Sequence, residues 1–378
     1  MNETTDQDQA HTWLDVMNER LNVDIDWMDP EFIKSLPSKP YDQTSNQLWM
    51  GIQLAHTTNR ELLARTAREL IDSGWLAVYT KMGTIMCKEN MARIRGRVLV
   101  QTSPAQAYDV EATVNHAREY AREFKIRGIS EERFCIKIPA TGPGVLAMRK
   151  LSAEGIPVLG TAVFSVEQAI ACSQAGCLYI SPYFNEVRSH EDPSLWPDVE
   201  DPAVQHPFSH RIYQMTQAFK QLHEKTGMPQ PLIKLAAFRH IREVIAASEL
   251  GCHSVTVSAA MMRELADTNY SRELDRGQHR SKSTPDRFYD SLPQPSERLR
   301  TLLASDPLTS RPGQFEQAEI DVDYLANNAA ALSAALHRDT AGRRRLEDAI
   351  NMFIKAEAAS QQLIESTVLD PVRGDSVL

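Results

Sequence analysis

Long apolar runs, glycine-rich loops and paired cysteines are what this chain of 378 residues lacks. No stretch approaches the roughly 20 consecutive apolar residues that a membrane-spanning helix needs, and no signal-peptide pattern opens the chain, so a cytoplasmic protein that makes no membrane contact is expected. The five cysteines, Cys87, Cys135, Cys172, Cys177 and Cys252, are odd in number and form no Cys-x-x-Cys pair. Free thiols are expected. No glycine-rich phosphate loop follows any candidate strand, which leaves nucleotide dependence without support. Positive charge is also short: the formal net charge is −9, which argues against a general nucleic-acid binder. The basic stretches Arg276 to Arg287 and Arg343 to Arg345 read as solvated surface. His206 and His210 have the i, i+4 spacing of a metal pair, but Pro207 lies between them and no acidic ligand is near, so a loop or helix start is expected and no metal is assigned.

What the chain does have is alternation. Short apolar strands are expected at 23–28, 97–102, 134–140, 156–164, 177–184, 231–238 and 253–258, with a weaker candidate at 41–46. Helical patterns separate them. Val145, Met148 and Leu151 recur at helical spacing between Gly142 and the stop signal Gly155, and Ser165-Val-Glu-Gln168 is a capping box for a helix ending near Gly176. Ile241, Val244 and Ile245 mark another helix before Gly251, and 75–86 reads as helix although Trp75-Leu-Ala-Val-Tyr-Thr also fits a strand. Eight parallel strands alternating with helices in one chain of this length predict a closed (β/α)8 TIM barrel over residues 20–265. Residues 266–370 read as an extension: a Ser-, Pro- and Arg-rich loop over 276–315, then helices at 322–337 and 343–365 that cover the barrel or pair subunits of a homo-oligomer. One domain over 1–378 suffices, and Asp370 to Leu378 is expected to be disordered.

The most informative residue is Lys137, inside the otherwise apolar Phe-Cys-Ile-Lys-Ile-Pro-Ala (134–140). Desolvation lowers a lysine pKa, and a neutral amine is what attack on a carbonyl requires. A snorkelling or carboxylate-paired lysine is the competing reading. Strand parity sends Phe134, Ile136 and Ile138 to the helices and turns Lys137 into the barrel. The same argument groups Gln101 with Leu99 and Arg97, places Asp24 and Asp26 on one face, and turns Ser181 and Tyr183 inward. Thr161 falls near the end of its strand. Lys234, in Pro-Leu-Ile-Lys-Leu-Ala-Ala-Phe-Arg, is a rival nucleophile, but parity counted from Arg239 sends it toward the helices.

Phe-Cys-Ile-Lys-Ile-Pro-Ala-Thr, Glu-Gly-Ile-Pro-Val-Leu-Gly-Thr-Ala-Val-Phe (154–164), Ile-Ser-Pro-Tyr (180–183) and Ala-Ala-Phe-Arg (236–239), in this order and spacing, resemble the transaldolase and fructose-6-phosphate aldolase family. The resemblance implies a class I aldolase barrel that needs no metal or organic cofactor and acts on a small carbonyl compound. It further implies that Lys137 forms the imine, that Asp26 moves a proton during carbon–carbon bond making or breaking, that Asn46 holds donor hydroxyls, and that Thr161 positions a water. Asp24 is the weaker alternative to Asp26.

Two departures bear on the substrate. Gln101 stands where transaldolases carry a glutamate and Tyr183 where they usually carry phenylalanine, which is similar to the fructose-6-phosphate aldolase branch, whose tyrosine hydroxyl acts as acid or base. That likeness favours free aldol addition or cleavage over obligatory transfer. The family's phosphate grip corresponds to Glu186, Ala237, Arg239 and Ser181, where a carboxylate replaces a guanidinium. The expectation is therefore an unphosphorylated or unusual carbonyl substrate, including one of specialised metabolism, with a transaldolase of sugar phosphates and a non-catalytic binding barrel as the alternatives. Glu186 is expected either to receive an amine or to pair with Arg239.

Overall fold

The structure is a computed structural model that describes residues 11–277, 279, 281–309 and 315–369. Eight parallel strands close into a barrel in chain order: β1 (Asn22–Asp26), β2 (Gln43–Thr44), β3 (Val98–Gln101), β4 (Phe134–Pro139), β5 (Val158–Val163), β6 (Tyr179–Pro182), β7 (Leu232–Leu235) and β8 (Ser254–Ser258), with β8 paired to β1. The weak second strand is real but only two residues long. Residues 75–90 form a helix, and 370–378, expected to be disordered, lie outside the described residues.

Parity works as the strand period requires. Outward-facing Phe134 stacks on Phe124 of the helix Val110–Ile126, at 4.8 Å between ring centroids, while its neighbours alternate inward. The capping box at Ser165 and Gln168 forms, and Gln168 does more than cap. Its Oε1 accepts from the N–H groups of Phe164 (2.8 Å) and Ser165 (3.1 Å), and its Nε2 donates to the carbonyl of Ala140 (2.8 Å). This buried amide therefore ties the C-terminal end of β4 to that of β5, which carry Lys137 and Thr161. Gly155, at φ 78°, takes the left-handed conformation that ends the helix Gly142–Ala153.

Two non-glycine residues at the strand ends share that conformation: Ala162 (φ 54°), at an irregularity in the β5–β6 register, and Ala237 (φ 63°), just past β7. Such backbone costs on the order of 1 kcal/mol or more and persists where surrounding bonds hold it. Ala237 also reverses a reading made from the sequence. The alternation breaks there, so parity counted back from Arg239 assigns Lys234 the wrong face; Lys234 points into the barrel.

After the barrel come the helices Ala326–Arg338 and Thr340–Leu369, close to the helices expected at 322–337 and 343–365. The second, at about 1.5 Å per residue, is roughly 45 Å long. It packs against the helix Gln47–Ala55, the turn Pro104–Gln106 after β3, β5 and the turn Val187–His190 after β6. All of these lie toward the C-terminal ends of strands, so this closing helix runs over the face of the barrel where active sites of the architecture sit. Phe353 (1 % exposed) and Ile350 (3 %) anchor it in the core. Among the described residues, no helix is long and apolar enough to cross a membrane.

Candidate active site

Lys137 and Lys234 are both buried inside the barrel, in opposite electrostatic settings. Toward the N-terminal side, the Nζ of Lys234 lies 2.8 Å from Asp24 and 2.7 Å from Asp42, with the Tyr179 ring 4.5 Å away. Burial works against its charge, but the two carboxylates more than offset this and raise its pKa. Lys234 is thus a fixed cation. Nearer the mouth, the Nζ of Lys137 donates to the carbonyl of Ser45 at 2.9 Å and forms no salt bridge among the described residues. Burial lowers its pKa, and the charge of Asp26 only partly opposes the shift. The interior lysine without a matched counter-ion is the one the sequence singles out.

Asp24 and Asp26 share a face, as parity predicts, and separate by role: Asp24 belongs to the Lys234 cluster and Asp26 to the Lys137 end. Asp26 accepts from the hydroxyl of Thr44 at 2.5 Å and from the indole N–H of Trp49 at 2.6 Å, which fixes its carboxylate in one orientation. Trp49 is itself held edge-on by Trp27, 5.2 Å away. Asn46 caps the helix Gln47–Ala55, its Oδ1 accepting from Leu48 and Trp49 N–H groups at 2.9 and 3.3 Å. The cap thereby sets the turn that brings Trp49 to Asp26 and the Ser45 carbonyl to Lys137.

Across the barrel, the hydroxyls of Thr161 and Tyr183 lie 3.1 Å apart. Burial pushes the Tyr183 phenol well above its usual value; the Thr161 contact opposes the shift and the negative charge of Asp26 adds to it. Asp26 therefore acts electrostatically on both Lys137 and Tyr183. The Tyr183 ring packs edge-on to Phe164 at 5.6 Å. Ser181 is buried and in register with Thr161. Gln101 is in register with Lys137, is 2 % exposed, and among the described residues has a hydrogen-bond partner on neither amide atom. Two unpaired polar atoms in the interior are costly unless something polar is to meet them.

Glu186 and Arg239 are not partners. Glu186 is buried and instead receives Arg344, at 3.1 and 3.2 Å, and Arg345, at 3.2 Å, both from the closing helix. Arg343 to Arg345 is therefore not simply a solvated stretch. A carboxylate buried at the mouth, about 160 residues earlier in the chain, draws the Arg345 guanidinium inward and pairs with Arg344, whose side chain stays half exposed. Arg276, in the other basic stretch, stays at the surface with Glu200 at 3.3 Å. The Arg239 guanidinium lies over the ring of Trp196 at 5.1 Å. Glu243 fixes that corner by accepting from Trp196 Nε1 (2.7 Å), Asn185 Nδ2 (2.9 Å) and the Arg239 N–H (2.7 Å). Of the two histidines with metal-pair spacing, His206 stacks on Phe184 and contacts Asn185, whereas His210 contacts the Ser305 carbonyl.

Sequence reading missed Ser45, Thr44, Trp49 and Trp196, and it took the basic stretch holding Arg344 and Arg345 for solvated surface. Their contacts join distant segments that no local pattern in the chain connects.

A closed parallel barrel with a desolvated interior lysine, an oriented aspartate and a hydroxyl pair around it is a barrel equipped for lysine chemistry at its C-terminal mouth. The family model described as transaldolase/fructose-6-phosphate aldolase matches residues 24–294, and the chain belongs to that family. A transaldolase of Xanthomonas euvesicatoria pv. vesicatoria is 27 % identical over 340 residues, 85 % of this chain and 95 % of that protein. A transaldolase of Thermosynechococcus vestitus is 33 % identical over 188 residues, 48 % of this chain, and the match spans less than half of that protein, 45 %. Among solved structures, a chain of the Amycolatopsis orientalis BexX/CysO complex covers 60 % of this chain and 73 % of its own length, at 17 % identity and a TM-score of 0.31.

Proposed function

We propose that the protein is a class I aldolase that makes or breaks a carbon–carbon bond through a Schiff base on Lys137. The observation that carries this reading is the contrast between the two interior lysines: Lys234 is matched by two carboxylates, whereas Lys137 is buried with a single backbone acceptor. The neutral amine attacks the substrate carbonyl carbon and water leaves. The resulting protonated imine withdraws electrons from the adjacent bond, which breaks to an enamine or, in reverse, forms from one. Each step moves a proton, and the groups present suit that work. Tyr183, kept protonated by burial and bonded to Thr161, serves as the acid and, once ionised, the base beside the imine. Asp26, oriented by Thr44 and Trp49, takes or returns the proton of the hydroxyl on the cleaved carbon. Thr161 and Gln101 hold the water that hydrolyses the imine, and Asn46 and Ser181 hold donor hydroxyls.

Tyr183 and Gln101 favour free aldol release on a carbonyl substrate. The opposite reading, transfer between sugar phosphates, draws support from the relatives that bear the name transaldolase. It also gains from Arg344 and Arg345, because a Glu186 covered by two guanidiniums no longer argues strongly against an anionic substrate. The acceptor requirement separates the two. Incubated with a ketose alone, an aldolase accumulates free donor ketone, whereas a transferase turns over only when an aldehyde acceptor is added. Free donor released without acceptor supports the aldolase; strict acceptor dependence overturns it in favour of the transferase.

A further inference from the structure

The surroundings of Lys137 are closed off unevenly. Lys137, Gln101, Thr161, Ser181 and Tyr183 are buried, whereas Asp26, Trp27, Asn46 and Trp49 are only half-buried. The site is therefore most open on the side of β1 and β2, and two indoles line that side. Trp27 directly follows Asp26 at the C-terminal end of β1, and Trp49 meets it edge-on, with ring centroids 5.2 Å apart and planes at 71°. The Nε1 of Trp49, the one polar atom of its side chain, donates to Asp26 at 2.6 Å, so the ring surface left over is apolar. The apolar surface continues outward. Leu48 (38 % exposed) and Ile52 (42 %) stand one turn apart on the helix Gln47–Ala55, and Ile52 is three positions from Trp49, hence its neighbour on the helix surface. Exposed apolar residues are ordinary when scattered singly; these two extend a pair of half-buried rings beside a carboxylate of the site. Charged side chains bordering the segment after β1 are engaged elsewhere. Asp29 caps the helix Pro30–Lys34, Glu31 pairs with Lys34 at 3.6 Å, and the Arg263 guanidinium lies over the Phe32 ring at 4.8 Å.

We infer that the wall formed by Trp27 and Trp49 receives an apolar substituent, alkyl or aryl, on the aldehyde half of the substrate, and that Trp27 sets this specificity. The inference rests on the Lys137 reading and on the direction that reading imposes. With the donor carbonyl carbon bonded to Lys137, the hydroxyl whose proton Asp26 moves sits on the carbon that becomes the aldehyde. The remaining substituent of that carbon runs past Asp26 toward the open side, where the indoles stand. A polyhydroxylated chain laid there exchanges water for carbon surface that returns no hydrogen bond, whereas an alkyl or aryl chain gains by leaving water.

The test uses the full chain as wild type, Trp27→Ala, Trp27→Phe and Ile52→Gln, with two readouts. The first is kcat/KM for addition of dihydroxyacetone to the unbranched aldehydes from propanal to hexanal, which share one reacting group and differ only in apolar length. Full burial of a methylene is worth about fourfold, and contact on one side about half that free energy, so each methylene should add about twofold and hexanal should exceed propanal about eightfold in wild type. Trp27→Ala should bring hexanal to within about twofold of propanal, and Trp27→Phe, which restores a ring, should keep most of the rise. Ile52→Gln should lower hexanal and leave propanal unchanged. Glyceraldehyde, which is propanal carrying two hydroxyls, should be no better than propanal. Should Trp27→Ala fail to fold, Ile52→Gln at its exposed position decides, because an unchanged preference for hexanal there overturns the wall. The second readout, calorimetric titration with 1-hexanol, needs no imine. Binding of 1-hexanol that is lost in Trp27→Ala supports the wall even where no aldol product forms, an outcome that would count against the Schiff base alone. A series that does not rise from propanal to hexanal in wild type, or that rises equally in Trp27→Ala, overturns the inference.

Discussion

Tyr183→Phe removes one oxygen and leaves the ring. The ring keeps its edge-on contact with Phe164, so packing is preserved, and the only bond lost is the one to the Thr161 hydroxyl at 3.1 Å. A neutral hydrogen bond contributes about 1 kcal/mol, so the urea midpoint should move by no more than that corresponds to. Catalysis should fall much further. A positioned acid or base is worth roughly 10²- to 10⁴-fold, about 2.7–5.4 kcal/mol of barrier, several times the loss of stability. The step affected is proton transfer at the enamine, not attack by Lys137. Two assays separate them: exchange of the donor's α-hydrogen with deuterated water, followed by mass spectrometry, and borohydride trapping of the imine. The variant should exchange roughly 10²-fold or more slowly while trapping donor as wild type does. Exchange within threefold of wild type would return Tyr183 to the core as a packed aromatic with a satisfied hydroxyl.

Lys234→Met should leave Asp24 and Asp42 buried without their cation, and unfolding by urea should report a loss of about 3–5 kcal/mol; unchanged stability would mean that the cluster is neutral in the folded protein. Trp49→Phe keeps an aromatic ring but removes the 2.6 Å donor to Asp26, so kcat should drop about tenfold or more with donor KM and fold retained, and an unchanged kcat would separate Asp26 from the chemistry. Glu357, on the closing helix, accepts from the Ser103 hydroxyl at 2.7 Å, and burial raises its pKa to about 7. A carboxyl whose folded pKa is raised contributes stability that is present below its unfolded value, near 4.5, and is lost as pH rises through 7. Glu357→Gln should therefore flatten the stability profile between about pH 4.5 and 7 and make the protein more stable than wild type at pH 8; a profile identical to wild type would show that Glu357 ionises freely.

How much of this was legible in the chain depended on how local the signal was. Strands with period-two burial and helices with capping residues were readable, because Ser165 with Gln168, or Phe134 beside Lys137, carry their meaning within a few positions. The inward direction of Lys137 followed from the same alternation. The face of Lys234 did not, because Ala237 adopts a left-handed backbone that no alanine announces, and counting across it inverts the parity. Glu186 could be recognised as a departure from its family, but its partners lie about 160 residues later in a helix whose docking the sequence does not encode locally. For the same reason Trp49 reads only as a helix residue, although the asparagine cap at Asn46 delivers it to Asp26.

The central claim is that Lys137, and not Lys234, carries the substrate. The most direct test is borohydride reduction of the protein with a carbonyl donor, followed by peptide mass spectrometry, in wild type and Lys137→Ala at neutral pH and above. Because burial lowers the Lys137 pKa, trapping should rise with pH through a midpoint below 10.5, the ordinary lysine value, as the amine loses its proton. A single adduct is expected on the peptide containing Lys137, absent in Lys137→Ala. An adduct on Lys234, or labelling that persists in Lys137→Ala, would contradict it.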